Sequence, residues 1–135
     1  MLHVLDKQNS LLGNFVKEIR SVDIQNDPMR FRRNIERIAQ VMCYEISKSL
    51  NFKTEEVKTP LGIAPTSVVA DKIVVASILR AGLAMHNGVL DFFDGAENCF
   101  VSAYRKYTDE SHFDIHVEYI AAPSLEGKTV ILCDP

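Results

Sequence analysis

The chain has 135 residues, 47% of them hydrophobic and 24% charged, and a formal net charge of −3. That length suits one domain with its own core, no apolar run approaches the roughly 20 residues that span a bilayer, and the acidic balance argues against a broad nucleic-acid surface. Met1 to Asp6 carry no signal-peptide pattern, so a cytoplasmic protein with only local anion sites is the default expectation. The three cysteines, Cys43, Cys99 and Cys133, lie far apart and form no Cys-x-x-Cys pair, which points to buried reduced thiols rather than a disulfide framework or a zinc site.

Leu12, Phe15, Val16 and Ile19 recur at helical spacing and predict a short amphipathic helix capped by Asn9 or Ser10. Asp27-Pro28 reads as N-cap and first residue of a longer helix, whose apolar stripe runs through Phe31, Ile35, Ile38, Met42, Ile46 and Leu50 as far as Asn51. Its other face carries Arg30, Arg32, Arg33 and Arg37, a pattern that suits a solvated face better than an anionic effector or partner. Thr59-Pro60-Leu61-Gly62 then reads as a hairpin turn between Val57-Lys58-Thr59 and Ile63-Ala64, since Pro60 presets φ and Gly62 tolerates φ > 0.

The next stretch organises the chain. Ile73 to Leu79 is short, apolar and rich in β-branched residues, as a buried strand of a parallel sheet is, and it runs straight into Arg80-Ala81-Gly82 and a helix over Leu83 to Phe93. Ligands of open α/β sheets bind at the carboxyl ends of the strands, and small residues at a helix N-terminus let an anion approach backbone N–H groups. Arg80, Ala81 and Gly82 therefore suit a phosphate or pyrophosphate, although the tripeptide alone also fits a solvated arginine in a strand-to-helix turn. His86 has no metal-ligand neighbour in its helix and reads as packing or solvent-facing, so His86→Ala is expected to do little.

Cys99 to Tyr104 predicts a second buried strand with Arg105 at its exit. The polar loop Tyr107 to Ser111 and the alternation of Ile115 to Ile120 predict an antiparallel arm, and after Pro123 and the turn Glu126-Gly127-Lys128 a third buried strand spans Thr129 to Cys133, with Asp134 at its exit. Three strand ends bearing Arg80, Arg105 and Asp134 would converge on one crevice. No repeat, low-complexity segment or linker divides residues 1–135, so one domain is expected.

Ile78-Leu79-Arg80-Ala81-Gly82-Leu83, Tyr104-Arg105 and Val130-Ile131-Leu132-Cys133-Asp134-Pro135 resemble successive signatures of the uracil phosphoribosyltransferase family, with Phe31-Arg32-Arg33, Tyr44-Glu45 and Thr59-Pro60-Leu61-Gly62 resembling its N-terminal marks. The resemblance covers essentially the whole chain and implies an α/β, type I phosphoribosyltransferase-like fold, a parallel sheet flanked by helices with a β-hairpin arm. It implies conversion of uracil and 5-phosphoribosyl 1-pyrophosphate to uridine 5′-monophosphate and pyrophosphate. By the same resemblance Arg80, Ala81 and Gly82 form the pyrophosphate loop, Arg105 is the second arginine on the donor, and Asp134 opens the phosphoribosyl-binding motif. Asp134-Pro135, where related enzymes place two acidic residues, favours uracil over purines. The resemblance also implies Mg2+ carried with the donor, a GTP effector, and a homodimer or higher homo-oligomer built through the arm from Tyr104 to Ala121.

The sequence stops at Pro135, where the family continues into a Gly/Thr-rich loop for the 5′-phosphate and later a base-reading segment. The expectation is an incomplete domain lacking the C-terminal part of the fold and inactive alone. Lys106, where many relatives carry an acidic or amide residue, is a smaller departure. A non-catalytic regulatory or dimerisation module of the same fold, or a transferase for another base, remain as alternatives at this point.

Overall fold

A computed structural model of the chain describes residues 2–107 and 112–135, with Arg105 and Tyr107 described by their backbone alone. The loop expected over Tyr107 to Ser111 thus lies, from residue 108 onward, outside the described residues. After a 3-10 turn at Leu5–Lys7 come α1 (Leu12–Arg20) and α2 (Pro28–Ser47), the hairpin β1 (Phe52–Thr59) and β2 (Gly62–Val69), then β3 (Ile73–Leu79), α3 (Gly82–Leu90), β4 (Glu97–Tyr107), β5 (Phe113–Ala121) and β6 (Thr129–Cys133).

The main sheet has the order β5-β4-β3-β6. β3 lies at its heart, parallel to both β4 and β6, and β5 returns antiparallel along β4. The β-branched run becomes a strand buried on both faces: Val74 and Val75 point to opposite sides and both are fully buried. Each such burial is worth about 1.5–3 kcal/mol relative to exposure. On one face Ile73, Val75, Ile131 and Cys133 pack with Ala39 and Cys43 of α2 and Val89 of α3; on the other, Val74 and Ala76 pack with Cys99.

Helix ends follow local chemistry where a capping side chain exists. Asp27 accepts from Met29 N at 3.0 Å and Arg30 N at 3.1 Å, with Pro28 at the first position, as the sequence predicts. α1 differs: its N-cap is Leu11 with no side-chain bond, because the backbone carbonyls of Ser10 and Leu11 already take the N–H groups of Gly13 and Asn14. The buried face of α2 also differs from the expected stripe, being centred on Ile35, Ala39 and Cys43 while Phe31 and Met42 stay exposed. The cause is close approach to α3. A Cβ on Gly88 would run into the Glu36 carbonyl oxygen and lie 2.9 Å from Ala39 Cβ, so two small residues set the helix contact and turn α2 toward them.

β1 and β2 pair from Phe52↔Val69 to Thr59↔Gly62, a longer hairpin than the sequence suggested, and Gly62 takes φ +135°. Its base is tied to the sheet by Asp71, which accepts from Asn51 N at 2.6 Å, Asn51 Nδ2 at 3.0 Å and Thr129 Oγ1 at 3.2 Å. These bonds, the Asn51 backbone bond foremost, hold the Asp71 carboxyl below its ordinary pKa. Among the described residues no helix is long and apolar enough to cross a membrane.

Candidate active site

β3 ends at Leu79, and Arg80 and Ala81 lead directly into α3 across a cis Leu79–Arg80 peptide. Arg80 is exposed, and its guanidinium makes no hydrogen bond or ion pair among the described residues. No side chain caps α3, whose first turn closes through Leu83 N to Arg80 O at 3.2 Å. A helix start of this kind presents N–H groups and a positive dipole end beside a guanidinium, a setting that favours an anion.

Arg80, Ala81 and Leu83 form one side of a cleft of about 680 Å3, mostly apolar, whose other side comes from Phe31, Arg32 and Ile35 of α2. Arg32 figures in the sequence reading only as one of four arginines and within Phe31-Arg32-Arg33, not as a site residue. Among its neighbours Arg30 pairs with Glu18 at 3.4 Å, Arg33 with Glu36 at 2.7 Å, and Arg37 donates to Asn34 Oδ1 at 3.3 Å and lies over the Phe15 ring. Arg32, like Arg80, has no such partner among the described residues, so the cleft carries two uncompensated cations from separate elements. Their nearness follows from α2 crossing α3 and leaves no mark in the local sequence.

Pro135 also borders the cleft, and Asp134 follows directly on Cys133, the residue of β6 that stands opposite Ser77 of β3. Arg105 is displaced from its expected place. It is not at a strand exit but inside β4, paired with Ile115 of β5; the strand continues because β5 supplies backbone partners after β3 has ended. Ser102 stands opposite Leu79, and Arg105 lies three residues further, about 10 Å along the strand. Arg80, Ala81 and Asp134 thus follow the ends of β3 and β6, whereas Arg105 lies beyond that edge in the β4–β5 ladder. Arg80, Ala81 and Pro135 share the cleft, and the Arg105 side chain lies outside the described residues.

Gly82 is buried beneath the turn. A Cβ there would stand 2.5 Å from the Cys133 carbonyl oxygen and 3.3 Å from Ser77 Cβ, so its missing side chain serves the packing of α3 onto β6 and β3. His86 is not solvent-facing. It is buried, its Nδ1 lies 2.7 Å from Ser77 Oγ, its Nε2 lies 2.7 Å from Asn98 Oδ1, and its ring stacks on Phe100 at 4.8 Å. Of the two readings of His86, packing holds and solvent-facing does not, and His86→Ala is now expected to destabilise, because removing a ring with two buried polar contacts takes the partner from Ser77 and opens a cavity. The signal was non-local, since Asn98 comes from the next strand.

All three thiols are buried and free. Burial, with Cys133 nearby, pushes the Cys43 thiol up to about 12, and burial raises Cys133 as well. No cluster of three or more His, Cys, Asp or Glu side chains among the described residues could hold a metal.

The chain is an α/β protein whose central parallel strand ends in a cationic, uncapped turn over a cleft, the edge at which open α/β sheets bind their ligands. The sequence model of the family "Uracil phosphoribosyltransferase" matches residues 7–135, and the chain belongs to that family. It is 57% identical over 131 residues to a uracil phosphoribosyltransferase of Porphyromonas gingivalis, covering 97% of this chain and 61% of the relative. To that of Methanothermobacter thermautotrophicus it is 37% identical over 137 residues, covering 100% of this chain and 61% of the relative. A solved structure, that of the AQ2163 protein from Aquifex aeolicus, superposes with a TM-score of 0.82 at 27% identity over 95% of this chain and 60% of that one. The chain thus spans about 61% of the length of the curated relatives it matches.

Proposed function

We propose that the protein transfers the 5-phosphoribosyl group of 5-phosphoribosyl 1-pyrophosphate to uracil in pyrimidine salvage. The bond from ribose C1 to the pyrophosphate oxygen breaks, a bond from uracil N1 to C1 forms, the N1 proton passes to solvent, and pyrophosphate leaves with the electron pair. Negative charge grows on the leaving group, and fixed cations placed there lower the barrier. Arg80 supplies one, with a fork suited to phosphate oxygens. Arg32 supplies another from across the cleft, Arg105 is read as the second arginine on the donor, and Asp134 as a partner of the ribose hydroxyls.

The observation that carries this reading is Arg80 itself, partnerless at the exit of the central strand in a chain of this family. Magnesium is read as an ion carried with the donor's pyrophosphate, since among the described residues Glu36 is tied to Arg33 and no group of three or more His, Cys, Asp or Glu side chains stands together to hold it. It would neutralise part of the donor's charge. A second copy of the chain is the proposed cover for the exposed apolar residues of β5: Ile115 and Val117, 70% and 48% exposed, share a face, while Tyr119, 64% exposed, falls on the other because the ladder is bulged between its pairings with Ser102 and Ala103. GTP as an effector and the cytoplasm as compartment are part of this proposal on the family resemblance alone, with no feature of the cleft behind them.

The test is pyrophosphate release by the encoded, mass-verified protein from 5-phosphoribosyl 1-pyrophosphate and Mg2+. Release that requires uracil and matches uridine monophosphate formed supports the reading. No release, or release with another base in place of uracil, overturns it.

A further inference from the structure

Ser77 and His86 bracket the turn that carries Arg80. Ser77 lies three residues before Arg80 on β3, and His86 lies six residues after it on α3. Their side chains meet at 2.7 Å in the core, so the strand, the turn and the first turn of the helix form a loop closed by one buried hydrogen bond. A second bond, from His86 Nε2 to Asn98 Oδ1 at 2.7 Å, and the stacking on Phe100 fix the imidazole against β4. With Asn98 Oδ1 as acceptor the proton sits on Nε2, and Nδ1 receives the Ser77 hydroxyl proton. Gly82 presses on Ser77 Cβ and the Cys133 carbonyl inside the same loop, which leaves the segment from 78 to 85 little room to shift.

We propose that His86 is a positioning residue: its bond to Ser77 holds the Arg80 turn in the shape that meets the donor's pyrophosphate. This rests on the function proposed above for the cleft. The imidazole touches no substrate. It acts by preorganising a turn whose side chain and N–H groups would otherwise have to be ordered when the anion arrives. The claim separates the two ring nitrogens. Nδ1 holds the turn, and Nε2 holds only the ring.

Two amides test that division. The amide of Asn carries its polar atoms two bonds from Cβ, like Nδ1, and that of Gln three bonds from Cβ, like Nε2. His86→Asn therefore keeps a partner for Ser77, and His86→Gln keeps one for Asn98. Ser77→Ala removes the same bond from the other side with almost no change of volume and serves if a His86 variant fails to fold. In the encoded protein His86→Gln and Ser77→Ala are expected to raise the KM for 5-phosphoribosyl 1-pyrophosphate about tenfold with the uracil KM unchanged, and His86→Asn to stay near wild type. Amide exchange over residues 80–84 is read in parallel and is expected to quicken in His86→Gln and Ser77→Ala but not in His86→Asn. If all variants lose only active fraction in step with Tm, or if exchange of those amides is the same in all of them, the proposal fails. A wild type without uracil-dependent turnover, but with the exchange pattern as stated, would overturn the proposed function while leaving the Ser77–His86 closure standing.

Discussion

The Cα of Gly82 faces the main-chain carbonyl of Cys133 so closely that a methyl group there would stand 2.5 Å from its oxygen. The start of α3 is thereby pressed onto the end of β6, which brings Arg80 to the same edge of the sheet as Asp134. The obstacle is backbone, which cannot swing aside as a flexible side chain can. Gly82→Ala is expected to cost about 1–3 kcal/mol of stability through overpacking. Denaturant unfolding reads it, and an unchanged midpoint would mean that the two elements are not held this tightly.

Asp71 gives the chain an acid-sensitive joint. Its carboxyl is held below its ordinary value of 3.8, first by the Asn51 backbone N–H, so the ionised form is favoured in the folded state. A lowered folded value means that the contribution is complete above the unfolded carboxylate range and fades as pH falls through the folded value, below about pH 4. Asp71→Asn should lower Tm at neutral pH, and the gap from wild type should close as the pH approaches 2. A gap that does not vary with pH would contradict the assignment.

The thiols should be silent in the folded chain. With Cys43 pushed up to about 12 and all three cysteines buried, the thiolate fraction of Cys43 at pH 8 is on the order of one in ten thousand. Iodoacetamide should label the native protein only through unfolding, with rates that track denaturant. Rapid labelling of Cys43, Cys99 or Cys133 in native buffer would show that the core around β3 and β6 opens.

The exposed apolar residues Ile115, Val117 and Tyr119 of β5 should report on assembly. Replacing Val117 and Tyr119 together by aspartate is expected to raise the dimer dissociation constant in sedimentation while the monomer keeps its circular dichroism. A dimer of unchanged affinity, or a wild type that is monomeric at micromolar concentration, would remove β5 as the main contact.

Periodicity made most of the elements legible, because burial on one or both faces writes a local pattern: Ile73–Leu79 as a strand, Asp27-Pro28 as a helix start, and the alternation after His112 as the antiparallel return. Contacts between elements leave no such pattern. The face of α2 turned toward Ala39 because Gly88 of α3 lets the helices close, and Arg105 moved inside a strand because β5 continued the ladder. His86 looked idle for the same reason, its partners Ser77 and Asn98 being on two other elements. At the site, Arg80 was legible from its position after an apolar run. Arg32 was hidden among paired arginines, and only the pairing of its neighbours sets it apart.

The central claim is that Arg80 meets the pyrophosphate of the donor at the exit of β3. Its direct test is kcat/KM for 5-phosphoribosyl 1-pyrophosphate in the encoded protein and in Arg80→Ala and Arg80→Lys, each checked for an unchanged Tm. Loss of one preorganised charge contact at a developing anion typically costs about a hundredfold to a thousandfold, and the account predicts a fall of that size for Arg80→Ala. Arg80→Lys should recover only part of it, because the ammonium lacks the planar fork. A folded Arg80→Ala variant with near-normal kcat/KM for the donor would contradict the account.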